Sequence, residues 1–158
     1  MSDPQPFPFW IIPLFPVFFV ALWLFVTGLL ATLGGWSELA HHYPDFGTTP
    51  EGNVLTVGGS SVGMRRGGVP LPVSYNRVVT LTLSRTGLHL RVMSFFRFRH
   101  PPILIPWEQV EALEPGMWHS LVVHPRGSGT RIRLYGRAAR TVEEAWAQRA
   151  GAAHPAAV

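Results

Sequence analysis

The segment SFFRFRHPP interleaves Phe95, Phe96 and Phe98 with Arg97, Arg99 and His100. Phenylalanine rings can enter a bilayer or stack on bases, and arginine forks pair with phosphates. The chemistry on offer is binding to a phosphate-bearing surface, either a membrane or RNA. An ordinary half-buried strand gives the same alternation without any ligand, with Phe turned to the core and Arg to water. From Arg65 to Arg140 the chain carries twelve arginines against three glutamates, a local charge of +9. This is a strongly basic stretch.

Catalytic and metal-binding patterns are thinner. The chain has no cysteine, which excludes disulfides, thiolate metal sites and a cysteine nucleophile. Gly59-Ser60-Ser61-Val62-Gly63 echoes a nucleophile elbow, but no strong strand precedes it and no helix follows. Glu108, Glu111 and Glu114 recur every third residue, and on a strand they cannot share one face. They read as charges that blunt a sheet edge. His41, His42 and Asp45 are close in sequence, yet adjacent helical histidines diverge and Pro44 disrupts the turn that would bring in Asp45. The two histidines read as solvated side chains at the interface. No enzymatic activity, metal or cofactor is expected.

The elements that must position the basic and aromatic segment begin with an anchor. Asp3 and Glu38 are the first two charged residues, so 34 consecutive residues carry no charge. A helix over Pro13–Leu33 rises roughly 30 Å, about the thickness of a hydrocarbon core. Trp10 and Trp36 flank it and suit two headgroup belts, and Tyr43 joins Trp36 at the interface. A cleaved signal peptide would need a basic start, a shorter apolar core and a small-residue cleavage site. The span is therefore expected to be retained. All thirteen basic residues are Arg and all follow it, which directs the carboxy-terminal part to the cytoplasm.

A short amphipathic turn follows, with Trp36, Leu39, Ala40 and Tyr43 on one face. Residues 46–76 are rich in Gly, Pro, Ser and Thr; Val54–Val57 and Val62–Met64 could be short irregular edge strands between turns at Gly58-Gly59 and Gly67-Gly68. Val79–Leu83 and Leu88–Val92 alternate around Ser84-Arg85-Thr86-Gly87 and predict a β-hairpin. Ile103–Ile105, Val110–Leu113, Leu121–Val123 and Ile132–Leu134 continue the strands, with a turn at Pro125–Gly129. The chain then offers an Ala-rich helix, with a capping box available at Thr141 and Glu144 and a stripe of Val142 and Trp146 to cover the sheet's open end.

This run of strands, with ILIPWEQVEAL in the middle and one closing helix, resembles bacterial PH-like domains of the GRAM-like type. The neck GWSELAHHY at Gly35–Tyr43 and HPPILIPW at His100–Trp107 are similar to segments of a set of uncharacterised bacterial single-span membrane proteins. The resemblance implies a β domain with a closing helix and brings no catalytic residues with it.

The expected architecture is one N-terminal transmembrane helix followed by a mainly β, PH-like domain of about six or seven antiparallel strands with a C-terminal helix. Its parts are a tail over 1–8, an anchor over 9–36, a neck over 37–50, the β domain over 51–152 and a disordered tail over 153–158. The expected function is non-enzymatic: membrane-surface or protein binding at the bacterial inner membrane. Phe95, Phe96, Arg97, Phe98, Arg99 and His100 are the contact residues, and anionic lipid headgroups are their partners. The alternative is an accessory subunit of a larger membrane complex, for which Gly28, Gly34 and Gly35 leave room for close helix contact. No nucleic-acid partner is expected, because a tether favours lipid.

Overall fold

Apolar side chains on every side make the first helix, α1 (Ile11–Leu33), long and apolar enough to cross a membrane. Pro16, the sixth residue of α1, lies inside the helix and leaves out one backbone hydrogen bond there. The computed structural model describes residues 11–70 and 72–153, with side chains over 13–70 and 72–150. Trp10, the tail over 1–8 and residues 154–158 lie outside the described residues.

Two glycines separate α1 from α2 (Trp36–His42). Gly35 takes a left-handed φ of 83° at the amino end of α2, and its Cα presses on the Thr130 side chain, where no Cβ would fit. The reversal lays α2 against the β domain. Trp36 and Leu39 are fully buried and Ala40 and Tyr43 nearly so. The Trp36 indole donates to the Pro101 carbonyl at 2.8 Å, and the Tyr43 hydroxyl donates to the Arg126 carbonyl. Glu38 accepts from the Gly129 amide at 2.9 Å and pairs with Arg66 at 2.8 Å. Tyr43 and Asp45 exchange backbone bonds with Leu104 and Pro102. The neck is thus part of the domain's core.

The domain is a seven-stranded antiparallel sheet, curled as a half-barrel. Its strands are β1 (Leu55–Arg66), β2 (Val73–Leu83), β3 (Gly87–Val92), β4 (Ile103–Pro106), β5 (Val110–Gly116), β6 (Ser120–Pro125) and β7 (Thr130–Tyr135), in spatial order β4-β3-β2-β1-β7-β6-β5. One helix, α3 (Gly136–Ala153), closes the chain. The mainly β domain of six or seven antiparallel strands with a C-terminal helix, expected from the strand pattern, is what the chain forms.

The sequence expectation of short edge strands over 54–64 is corrected: β1 is the central strand. It pairs with β2 from Leu55↔Leu83 to Met64↔Val73, and with β7 from Val62↔Leu134 to Arg66↔Thr130. Gly58-Gly59 makes a bulge rather than a turn. The register shifts between Val57 and Ser60, and Gly59 has a φ of 62°. A bulge bends the strand and strengthens its twist, which lets one strand serve both halves of a curled sheet.

Inward residues of the strands form the core, among them Met64, Leu81, Leu88, Leu90, Ile103, Ile105, Ile132 and Leu134. α3 begins at Gly136, so Thr141 lies within the helix instead of capping it. Ala138, Ala139 and Val142 face the core. Trp146 is only half-buried, 6.1 Å from Trp107.

Candidate functional site

The alternation Phe-Arg-Phe-Arg does not form a strand. After Val92, Ser94–Phe96 makes a single 3-10 turn, held by Phe96 N–H to the Met93 carbonyl at 2.9 Å. A second turn closes at His100, whose amide donates to the Arg97 carbonyl at 2.9 Å. Arg99 between them adopts a left-handed φ of 57°, a strained conformation for a residue with a Cβ. Pro101 and Pro102 then set the chain extended into β4.

This β3–β4 loop lies against α1. The Phe95 and Phe96 rings stand 5.3 and 5.0 Å from the Trp23 indole. Further down the helix, Phe98 and Arg99 cover Gly28, where an added Cβ would meet the Arg99 stem at 3.0 Å. Thr27, Gly28 and Ala31 are buried on this side, while Leu29, Leu30 and Leu33 on the other side remain exposed. Gly34 meets Val73 and Tyr75. The glycines expected to serve contact with other helices are occupied by the protein's own domain.

Phe95 is 74% exposed and Phe98 46%, large values for aromatic rings in a folded domain. Arg97 and Arg99 are exposed and form no ion pair among the described residues. Four of the expected contact residues thus share one surface beside the helix.

The other expected contacts are placed differently. Phe96 is half-buried and packs on the core. His100 is buried between Trp36 and Tyr75, with ring centroids 5.3 and 5.4 Å away. Its Nδ1 lies 2.9 Å from the Phe98 carbonyl, which only accepts, so Nδ1 carries the proton. Nε2 then faces the Tyr75 hydroxyl at 3.2 Å. Burial lowers the His100 pKa from its ordinary value and raises that of Tyr75. Trp36 and Tyr43, expected at the headgroups, are core residues because their polar atoms find backbone carbonyls inside the domain.

One constellation had no signal in the sequence, because its members are far apart in the chain. Ser84 Oγ lies 3.0 Å from His89 Nε2, and His89 Nδ1 lies 3.2 Å from Asp45 Oδ2. The order of atoms is that of a hydrolase triad. The hydroxyl, however, is the hub of its own turn. It accepts from the Gly87 amide at 3.2 Å and sits 2.8 Å from Thr86 Oγ1 and 3.2 Å from the Gly87 carbonyl. Asp45 accepts in addition from the Gly47 and Thr48 amides and the Thr48 hydroxyl, at 2.8–3.1 Å. These hydrogen bonds outweigh burial and lower its pKa. The relay fastens the neck to the β2–β3 turn with every polar atom engaged.

Ser60, in the sequence that echoed an elbow, lies within β1 and donates to the Val57 carbonyl at 3.0 Å. Among the described residues no three of His, Cys, Asp and Glu gather as a metal site. Compared with protein-family models, curated proteins and solved structures, the chain has no match.

Proposed function

We propose that the protein is a non-enzymatic, single-pass membrane protein of the bacterial inner membrane. Its PH-like domain is held on the cytoplasmic face for binding at the membrane surface, in keeping with the single-span proteins its neck and HPPILIPW segment resemble. The observation that carries the reading is the exposed set Phe95, Arg97, Phe98 and Arg99 lying alongside the apolar helix. A leader destined for removal has no need of such a seat, and packing of Trp23, Thr27, Gly28 and Ala31 on the domain favours a retained anchor.

The seat also bears on how deep the helix would sit. Trp23 is ten residues before Leu33, about 15 Å along the axis. Were Pro13–Leu33 the hydrocarbon span, Phe95 would lie at mid-bilayer with two arginines beside it. Each arginine would then cost about 2.5–3.5 kcal/mol near the centre. The uncharged sequence extends back to Pro4, so a hydrocarbon span displaced toward the amino terminus and ending near Val26 meets no charge. With that placement Trp23 and the Phe rings enter the interface, and Arg97 and Arg99 meet the phosphates.

The absence of cysteine permits a direct test, since single cysteines can be introduced and spin-labelled. In reconstituted bilayers, labels at Phe95→Cys and Phe98→Cys should collide with dissolved oxygen more than with a water-soluble nickel relaxant. A label at Trp118→Cys should do the reverse. Water-like collision profiles at positions 95 and 98 would overturn the reading. The alternative of an accessory subunit draws on Met117 and Trp118, 72% and 85% exposed on the β5–β6 turn. Migration of the solubilised protein with a large complex would favour it.

A further inference from the structure

On the outer face of the sheet, β1 and β7 bring three arginines together. Arg65 is the cross-strand partner of Arg131, and Gly63 is the partner of Arg133. Like charges directly opposite each other destabilise a ladder, so the Arg65–Arg131 pairing works against the fold while it is empty. Gly63 leaves a hollow in the middle of a strand, a position where a side chain would ordinarily pack. A Cβ there would come within 3.3 Å of the Tyr135 hydroxyl and 3.6 Å of the Arg133 Cβ. Around the hollow is a cleft of about 250 Å³, walled by Arg65, Arg131, Arg133, Tyr135 and one carboxylate, Glu114.

None of the three guanidinium groups forms an ion pair among the described residues. The Tyr135 hydroxyl makes no hydrogen bond there, though it overhangs the hollow. Glu114 also lies 3.2 Å from His124 Nε2, on the neighbouring strand β6. Three arginines without ion pairs and a hydroxyl lining one open cleft, in excess over its single carboxylate, match an acceptor-rich, compact anion. Guanidinium pairs phosphoryl oxygens through two parallel N–H donors, and a phosphoryl group can engage several forks at once.

We infer that the cleft over Gly63 binds a phosphoryl-group anion between Arg65, Arg131 and Arg133. The site is separate from the β3–β4 loop and stands without the membrane reading of that loop. The anion relieves the repulsion between Arg65 and Arg131, so ligand and fold stabilise one another. The phosphoryl group can belong to a soluble phosphate or to a lipid headgroup, and the two sources are told apart by the same experiment.

The full-length protein in neutral detergent is titrated with inorganic pyrophosphate at fixed ionic strength, and heat and melting temperature are read. Saturable binding of one pyrophosphate per chain is expected, with a rise in melting temperature. Arg131→Gln with Arg133→Gln should weaken binding by at least about tenfold, as expected for lost charge-assisted bonds. Arg131→Gln alone should raise the melting temperature without anion yet shrink the rise that pyrophosphate gives. Gly63→Ala should weaken binding at unchanged charge, while Arg91→Gln, on β3, should change it by less than about twofold. Neutral vesicles doped with phosphatidic acid form the second arm: their competition with pyrophosphate assigns the cleft to lipid, and its absence assigns it to a soluble phosphate. The inference is overturned if neither probe binds, or if Arg91→Gln weakens binding as much as the Arg131 and Arg133 pair. All these variants leave Phe95–Arg99 intact, so a failed membrane reading would be seen separately by the spin labels.

Discussion

His100 and Gly35 are single residues on which the docking of α2 turns. The neutral His100 ring fits between Trp36 and Tyr75, and burial holds its pKa below the ordinary 6.5. The unfolded chain therefore takes up the proton first as pH falls. Stability from this group is complete above the unfolded pKa and declines on acidification until the folded pKa is passed. Thermal unfolding followed between about pH 7 and pH 5 should show a falling melting temperature in the wild type. His100→Asn, though less stable overall, should give a flatter profile; an equal slope would remove His100 from the effect. Gly35→Ala would combine a left-handed φ with a collision at Thr130, a cost of about 2–4 kcal/mol. The Thr130 hydroxyl is buried without a hydrogen-bond partner, so Thr130→Ala alone should be close to neutral. The double variant should recover part of the loss, and additive costs in chemical denaturation would refute the contact.

The short helix α2 carries more of the fold than its seven residues suggest. Trp36→Ala should destabilise the domain by about 3–5 kcal/mol. A fragment starting at Gly34 should unfold cooperatively, whereas one starting at Asp45 should bind a hydrophobic dye and lose its sharp transition. Equal stability of the two fragments would count against the role given to α2. On α3, Val142 is fully buried and Trp146 is not, so Val142→Ala, at about 2 kcal/mol, should cost more than Trp146→Ala. The strands from Val79 onward were legible in the sequence because their two-residue alternation and turn residues agree. β1 was not, since a glycine pair signals a turn and a bulge alike, and only pairing with β7 decides between them. Phe-Arg-Phe-Arg was ambiguous for a similar reason: its turns are set by Arg99 and by packing on Trp23, more than seventy residues away. For Trp36 the sequence offers an aromatic after an apolar helix, a pattern shared by a headgroup belt and a core. Its partner Pro101 lies 65 residues on. Exposure of Phe95 and Phe98, by contrast, came with the mixed composition that singled them out.

At the scale of the molecule, the seat of the loop on α1 makes the bilayer's position measurable. If the hydrocarbon ends near Val26, Val17 is near its middle and Leu24 near its edge. Val17→Arg should then disfavour insertion by about 2.5–3.5 kcal/mol and Leu24→Arg by clearly less, read in a membrane-insertion assay. The reverse order would restore Pro13–Leu33 as the span. The wild type should resist extraction by carbonate. The burial of Trp36 has a last consequence, and it concerns the order of synthesis. The anchor is made first, while the carbonyl that receives the Trp36 indole is made 65 residues later, and Thr130, which receives Gly35, later still. At about 5–20 residues per second, Trp36 waits several seconds or more for its pocket. Nor can the sheet close before β7 has paired with β1. The domain thus completes itself onto a helix that was made before it. Chains truncated before Thr130 should leave Trp36 open to a soluble quencher, and chains reaching Ala153 should shield it.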